Sequence, residues 1–460
     1  MKPFRRRSIL QTALPALLFT QNVLALDLDL SSTDSIKGTA KIIADEMVTY
    51  YTGYRPGDVP GNLPAPYYWW EAGAMFGALI DYWYFTGDDS FNEITTQAML
   101  HQVGPNNDFM PPNQTKTEGN DDQAFWGMAA LSAAENVFPN PPSDQPQWLA
   151  LAQAVFNTQA PRWDTSTCAG GLRWQIFAFN NGYNYKNTIS NGCFFNMGAR
   201  LAVYTGNQTY FDWAERMWDW VSAIGLRDAQ YNFYDGSDDT LNCTELDHIQ
   251  WTYNAGTFLV GAANMYNYTN GSSVWEGHLN GIIAQLKVFM EGQIMKESAC
   301  EGVNPDGSDT CNVDQLSFKA YLARWIAATI VRAPFTYPLL KPILEQSAAA
   351  AAATCTGGVN GTSCGTKWWK GAMYDGATGV GQQMCALEVI QSNLIVEVDG
   401  PVTEGTGGTS QGNPEAGGSS PIGPDDLHKH DVTATDKAGA GILTVLIVFF
   451  VVGGAWWLIL

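Results

Sequence analysis

Ala74-Met75-Phe76-Gly77-Ala78-Leu79 runs on to Tyr84-Phe85-Thr86-Gly87-Asp88, and the phrase returns as Phe195-Asn196-Met197-Gly198-Ala199-Arg200-Leu201 followed by Tyr204-Thr205-Gly206-Asn207. A third copy runs from Thr257-Phe258-Leu259-Val260-Gly261-Ala262-Ala263 to Tyr268-Thr269-Asn270-Gly271. Each copy reads as a helix that packs through small residues and stops at a Gly turn. An aromatic residue then opens the next helix: Phe91, Tyr210 and Trp275. Between Ser35 and Ser392 the pattern is helical almost throughout, with little of the period-two alternation of strands. The chain is therefore expected to be all-α. Helix hairpins of roughly 50–60 residues divide about 350 residues into about six, the size of an (α/α)6 barrel with long rim loops. An open solenoid is the alternative, but solenoid repeats are more regular in length than these.

The composition suits such a body. With 460 residues, 45% hydrophobic and 12% aromatic, the chain can bury a large core. Its net charge of -21 arises from only 15% charged residues, so the imbalance is a shortage of Lys and Arg rather than acidic runs. A surface of that sign repels nucleic-acid phosphates and anionic lipid, and no basic cluster lies outside the extreme N-terminus. Neutral partners such as glycans stay open. Nothing in the pattern calls for a partner chain, and a monomer is expected.

Both ends carry targeting signals. Arg5, Arg6 and Arg7 precede an apolar stretch from Ile9 to Thr20, and Val23-Leu24-Ala25 suits cleavage, so residues 1–25 read as a secretory signal peptide. At the far end, residues 438–460 include the uninterrupted apolar run Gly441 to Leu460, with a polar Gly/Ser/Thr/Asp-rich stretch before it. Small residues, polar spacer and hydrophobic tail make a GPI-attachment signal, which is removed on maturation. A tail-anchored span is the other reading, but no Lys or Arg follows the run to hold a cytoplasmic end. The expected division is a body over 26–398 and a stalk over 399–437 with too little apolar content to fold. Residues Glu388 to Val398 are expected as a short closing strand or helix. The protein is thus expected to be secreted and held at the plasma membrane's outer face or in the cell wall, touching membrane only through the GPI lipid.

Eight cysteines all fall in the body, which argues for disulfides in a secreted chain, with Cys300–Cys311 and Cys355–Cys364 as the local pairings. No C-x-x-C occurs and His number only five, so no metal and no cofactor is expected. Sequons at Asn113, Asn207, Asn242, Asn267, Asn270 and Asn360 each imply a surface position if used.

Chemistry concentrates in Asn120-Asp121-Asp122-Gln123-Ala124-Phe125-Trp126, which opens a helix after a Pro/Asn/Thr-rich loop. One reading is capping, with Asn120 as N-cap and Gln123 closing a capping box. The other is catalytic: adjacent residues on a helix point about 100° apart, so two acids share one substrate only at a helix start or in a cleft. A diphosphate-binding motif is disfavoured, because Phe125 and Trp126 occupy the place of the further acid that would share Mg²⁺.

Six ordered segments together resemble glycoside hydrolase family 76, in its fungal GPI-anchored cell-wall branch. They are Tyr67 to Ala74, Asn120 to Trp126, Gly170 to Gln175, Tyr185 to Gly192, Trp251 to Gly256 and Asp314 to Lys319. The resemblance implies an (α/α)6 barrel and an endo-α-1,6-mannosidase or transglycosidase acting with retention. It also implies Asp121 as nucleophile and Asp122 as acid/base, the charge of Asp121 raising the pKa of Asp122. The donor would be α-1,6-mannan or a GPI glycan, and β-glucan is the acceptor if the cut sugar is transferred.

Such a site needs flat faces for sugar rings and amides for hydroxyls. Trp70, Trp174 and Tyr253 are candidates for the faces, and Asn187, Asn191 and Asn254 for the hydroxyls; core packing is the competing role for each aromatic. Lys319 is either a snorkelling surface lysine or a cation reaching the site. Asp235, in Tyr234-Asp235-Gly236, is placed near the cleft, with a turn as its alternative, whereas Asp238 and Asp239 read as solvated or a weak cation site. Two further function classes compete with the enzyme: a non-catalytic mannan-binding wall protein, which has no need of adjacent acids, and a helical scaffold, which leaves the aromatic-rich segments unexplained.

Overall fold

In the computed structural model, described over residues 25–418 together with Lys437 and Thr444, twelve α-helices carry the described chain. Six form an inner ring: α2 (Trp69–Thr86), α4 (Asn120–Glu135), α6 (Thr188–Thr205), α8 (Thr252–Tyr268), α10 (Phe318–Arg332) and α12 (Val380–Gln391). Each packs on the next, and α12 returns to α2, which closes the ring. The outer layer is α3 (Asn92–His101), α5 (Trp148–Gln159), α7 (Gln208–Ala223), α9 (Ser273–Gln285) and α11 (Tyr337–Thr354), each against its inner partner. Helix α1 (Thr33–Val48) completes it by packing on α12, so the two ends of the body meet. This is the (α/α)6 barrel, and the ring closure excludes the open solenoid.

The layers differ in residue pattern as burial requires. Every residue of α12 is buried, whereas α7 buries one face, Tyr210, Phe211, Ala214, Met217, Trp218, Trp220 and Val221, at helical spacing. The recurring phrase of the sequence is the inner helix. Its small residues receive large side chains from the neighbouring helix: a methyl group on Gly73 would meet the Trp126 ring at 2.8 Å, and one on Gly261 the Phe195 ring at 2.3 Å. Helices α2 and α6 end at Gly87 and Gly206 in the left-handed conformation. Helix α8 ends instead at Thr269, with Asn270 and Gly271 making the left-handed turn.

The helical pattern runs past Leu387, since α12 continues to Gln391 and a 3-10 turn, Ser392–Leu394, follows it. Strands are few and short. β1 (Tyr185–Asn187), β2 (Gly236–Asp238) and β3 (Leu246–Asp247) form one antiparallel sheet, with Asn187 opposite Gly236 and Ser237 opposite Leu246. β4 (Met290–Glu291) pairs with β5 (Ile294–Met295). Segments of two or three residues carry no readable alternation, which is why the sequence did not announce them.

Three disulfides join Cys168 to Cys243, Cys300 to Cys311 and Cys355 to Cys364. The expectation that every cysteine pairs is corrected: Cys193 and Cys385 are buried free thiols. All six sequon asparagines are exposed. The stalk is also corrected over its first part. Residues 399–418 pack on the barrel mainly through hydrogen bonds, with Val402 also against the core: Val402 N–H donates to the Glu135 carbonyl (2.8 Å), Leu149 N–H to Ser410 Oγ (2.9 Å) and Asn157 Nδ2 to the carbonyls of Pro414 and Ala416 (both 2.8 Å). Under this segment lies an ion network in the barrel's lower half, where Arg324 bridges Asp81 (2.7 Å) and Glu388 (2.6 Å) and Arg200 holds Glu135 (2.7 Å). The expected signal peptide through Leu24, the stalk from 419 onward and the terminal apolar run lie outside the described residues apart from Lys437 and Thr444. Among the described helices none is long and apolar enough to cross a membrane.

Candidate active site

The inner helices run in one direction, so their first turns meet at one rim. Helix α4 begins there at Gly119, whose backbone is extended and bridges Gln175. Asn120 N–H donates to the Trp174 carbonyl (2.8 Å), and Asn120 Nδ2 to that of Arg173 (2.8 Å). The helix start is thus clamped to the segment that carries Trp174. Gly119 is required by close approach, since a Cβ there would lie 2.6 Å from Asp121 Oδ1 and 3.1 Å from the Trp174 carbonyl.

The capping reading is corrected in detail. The N-cap is Gly119, not Asn120, and it is Asp122 whose Oδ2 accepts the Gly119 N–H (2.7 Å). Gln123 is buried and donates to the Asp108 carbonyl (2.7 Å) while accepting from Arg162 (2.7 Å). Asp121 Oδ1 accepts from Ser190 Oγ on α6 (2.9 Å). Both aspartates line a cleft whose other walls are Trp70, Phe125, Trp174 and Tyr253. Trp70 leans on Phe125 at 4.8 Å and donates from Nε1 to Asp314 Oδ1 (3.1 Å). Tyr253 stacks on Phe318 with ring centroids 3.8 Å apart, and Trp174 leaves 37% of its surface open. Such rigid, part-exposed aromatic faces suit a pyranose ring.

The sheet delivers the remaining groups. Asn187 ends β1 and caps α6, accepting the Ser190 N–H (3.2 Å), and the side chain lines the cleft. The Tyr185 hydroxyl donates to Asp235 Oδ2 (2.7 Å), which fixes that acid at the cleft edge. Asp121, Asp122, Trp70, Trp174, Asn187, Asp235 and Tyr253 therefore converge as the sequence suggested.

Three expected binding residues do not. Asn191 lies one turn inward of Asn187 and is spent on the backbone of Leu172, accepting its N–H (2.7 Å) and donating to its carbonyl (2.9 Å). Asn254 is fully buried with neither amide atom bonded, because the residue after Tyr253 on the helix turns away from the cleft into the barrel. Lys319 is 2% exposed, ion-paired with Glu301 (2.6 Å) and lies over the Trp368 ring (4.1 Å). Asp239 is likewise no solvated loop acid but the buried ion-pair partner of Arg173.

Asp314, Phe318, Phe125, Tyr185 and Ser190 belong to the site and were not singled out from the sequence as site residues. Asp314 had a readable signal, an acid shortly before an aromatic-rich inner helix, whereas Asp121 and Asp122 lie within the first turn of theirs. Four carboxyls line the cleft, and its walls hold no Lys or Arg.

Electrostatics follow from that crowding. Burial, followed by the Asp122 charge, holds Asp121 well above the ordinary carboxylate range despite the Ser190 bond. Burial pushes Asp122 up to about 6, opposed by the Gly119 N–H and aided by Asp314. Asp314 is itself pushed up to about 6 by burial, against its Trp70 bond. The adjacent pair thus keeps a proton where ordinary carboxyls have lost theirs. The Gly119 N–H favours charge on Asp122, opposite to the expectation that Asp121 is the charged member, so the roles rest on the resemblance and not on this balance. Among the described residues no three His, Cys, Asp or Glu side chains converge in a metal-binding group.

Residues 35–405 match the model of glycosyl hydrolase family 76. The chain is 46% identical over 448 residues to the mannan endo-1,6-alpha-mannosidase DCW1 of Saccharomyces cerevisiae, covering 97% of this chain and 98% of that protein. It is 43% identical over 457 residues to the mannan endo-1,6-alpha-mannosidase DFG5 of the same yeast, covering 98% of each. The crystal structure of Dfg5 from Chaetomium thermophilum in complex with glucosamine superposes with a TM-score of 0.81 at 45% identity, over 85% of this chain and 98% of that one. An inactive variant of the alpha-1,6-mannanase GH76A of Salegentibacter sp. HEL1_6, in complex with alpha-1,6-mannotriose, shares the fold at 16% identity, with a TM-score of 0.61 over 78% of this chain and 99% of that one.

Proposed function

The chain belongs to glycosyl hydrolase family 76, and we propose that it cuts α-1,6-mannosyl linkages with retention, Asp121 acting as nucleophile and Asp122 as acid/base. The observation that carries this reading is the placement of Asp121 and Asp122 side by side at the first turn of α4, in a cleft walled by Trp70, Trp174 and Tyr253. Retention requires two carboxyls about 5–5.5 Å apart on one substrate, and a helix start opening into a cleft is where neighbouring residues can meet that need.

The steps use the groups in place. A mannosyl ring rests on the aromatic faces, with its hydroxyls toward Asn187 and Asp235. Asp122 gives its proton to the glycosidic oxygen as the C1–O bond breaks, and Asp121 Oδ closes on C1 to form a glycosyl ester. Ser190 orients that carboxylate and shares its charge through the 2.9 Å bond. Water or an acceptor hydroxyl then yields its proton to Asp122 and attacks C1, restoring Asp121. Asp314 keeps the shared proton on the pair by adding negative charge nearby. Bound substrate gives Asp122 a glycosidic oxygen to donate to, which draws the shared proton to Asp122.

The wider setting belongs to the same proposal. The N-terminal signal and terminal apolar run support a mature monomer held outside the cell on a GPI anchor, beside wall mannan, GPI glycans and β-glucan. Transfer of the cut glycan to glucan follows if an acceptor outcompetes water for the ester. The test is incubation with an α-1,6-mannooligosaccharide, with and without a glucan-type acceptor. The parent protein should turn over, faster and to a heavier product with acceptor, and Asp121→Asn and Asp122→Asn should each lose about 10³-fold or more while melting normally. Mannan binding without turnover would make the protein a binder instead, and brisk hydrolysis indifferent to acceptor would make it a plain mannosidase. Recovery of residues 441–460 in the mature protein would refute the anchor.

A further inference from the structure

The strap of residues 399–418 begins at the base of the barrel, opposite the cleft. A Cβ added at Gly400 would lie 3.1 Å from Val331 Cγ1 in the last turn of α10, and Val402 N–H bonds the carbonyl of Glu135, the last residue of α4 (2.8 Å). From there the strap turns back up the outer wall. Thr409 Oγ1 accepts from Asn140 Nδ2 between α4 and α5 (3.0 Å), and Ser410 Oγ accepts the Leu149 N–H (2.9 Å). Asn413 N–H donates to Gln153 Oε1 (2.6 Å), and Asn157 Nδ2 donates to the carbonyls of Pro414 and Ala416 (both 2.8 Å).

Leu149, Gln153 and Asn157 lie at successive i, i+4 positions on one face of α5, so the strap climbs about 12 Å along it. Its end is level with Asp121 and Asp122. A Cβ at Gly417 would lie 2.6 Å from the Ala154 carbonyl and 3.0 Å from Thr158 Cγ2, at a φ of 75°, so the close approach requires glycine. Thr158 Oγ1 in turn accepts from Gln123 Nε2 (3.1 Å), and Gln159 Nε2 donates to the Asn120 carbonyl (2.7 Å). Helix α5 therefore ends against the first turn of α4, and the described chain leaves the barrel at Gly418 beside the cleft rim.

Small residues suited to the anchor run from Gly417 to Asp431. Fully extended, the ~13 residues from Ser419 to Asp431 reach at most ~45 Å. Without the bonds to α5 the tether would begin at the base, and its ~33 residues from 399 would reach ~110 Å. The strap thus cuts the tether by more than half and moves its origin from the base to the rim. Resting on the anchor proposed above, we infer that residues 399–418 turn the cleft rim toward the lipid surface that carries the anchor. The cleft then opens on glycans borne by that leaflet, and the base of the barrel faces away from it.

The test uses the full-length protein with its anchor, in phosphatidylcholine vesicles that hold an acceptor dye in the lipid. A donor dye is attached at either of two exposed positions on one hairpin: Met373→Cys, in the rim loop between α11 and α12, or Leu339→Cys, in the first turn of α11 at the base. Energy transfer should be stronger from Met373→Cys than from Leu339→Cys. The variant Asn157→Ala/Ser410→Ala/Gly417→Val, which breaks the hold on α5, should lose that difference while cleaving soluble α-1,6-mannotetraose at the parent rate. Equal transfer from the two positions in the parent, or stronger transfer from Leu339→Cys, would overturn the orientation. A difference that survives in the released variant would remove the strap as its cause. Should that variant fail to fold, the comparison within the parent still decides. A parent protein that does not associate with the vesicles, and so transfers from neither position, would refute the anchor itself, a result distinct from a wrong orientation of an anchored protein.

Discussion

Gly256 sits one turn beyond Tyr253 on α8 and faces α10. A methyl group there would lie 2.8 Å from Trp325 Cε3 and 3.2 Å from the Leu322 Cα. A backbone atom cannot rotate aside, so Gly256→Ala has to push α8 and α10 apart. Overpacking of this kind costs about 1–3 kcal/mol, and removing a glycine from a helix interior returns about 0.5–1 kcal/mol. The balance is a loss of about 0–2.5 kcal/mol, centred a little above 1. Gly38 in α1 is the control, because nothing lies within 4 Å of its added methyl group. Gly38→Ala should therefore gain about 0.5–1 kcal/mol. The separation also reaches the cleft, since Tyr253 and Phe318, stacked at 3.8 Å, belong to the same two helices. Parallel thermal melts by circular dichroism should show Gly38→Ala above the parent and Gly256→Ala below it, with a severalfold higher KM on α-1,6-mannotetraose for the latter. A Gly256→Ala protein that melts at or above the parent would refute the packing argument for the inner ring.

Burial pushes Glu71 and Glu297 up to about 8 from the usual 4.5, so the unfolded chain releases these protons near 4.5 and the fold keeps them to about 8. Their contribution to stability is full below 4.5 and shrinks as pH rises toward 8; urea midpoints at pH 5 and 8 should differ less in Glu71→Gln than in the parent, and an equal difference would contradict this. Asp314 raises both Asp121 and Asp122, so under the proposed mechanism Asp314→Asn should move both limbs of the pH–rate profile to lower pH; unmoved limbs would remove Asp314 from the electrostatics of the pair. Truncation after Val398 strips the bonds to Glu135, Leu149 and Asn157 and should lower the melting temperature, whereas an unchanged melt would make residues 399–418 a passenger.

What the sequence disclosed depended on the length over which a physical pattern repeats. The small-residue phrase with its Gly stop marks α2 and α6 because burial on all sides and a left-handed turn leave a trace many residues long. β1 and β2 leave none, yet they set Tyr185, Asn187 and Asp235 at the cleft. Side-chain direction was legible only one turn at a time. Tyr253 and Asn254 are neighbours in sequence and look equally suited to a sugar, but the helix sends one to the cleft and the other inward. Lys319 follows Phe318 in the same way and is captured by Glu301. The segment after Gly400 was misread because low apolar content argues against folding, and its hold comes from hydrogen bonds to groups distant in sequence.

Asp121 and Asp122 acting as a retaining pair fix the configuration of the new reducing end. The direct measurement is a proton NMR time course of α-1,6-mannotetraose cleavage, read before the product anomers equilibrate. With retention the α-anomer of the new reducing end appears first, and it fails to appear with either Asp121→Asn or Asp122→Asn. A β-anomer appearing first, or undiminished cleavage by either variant, would contradict it.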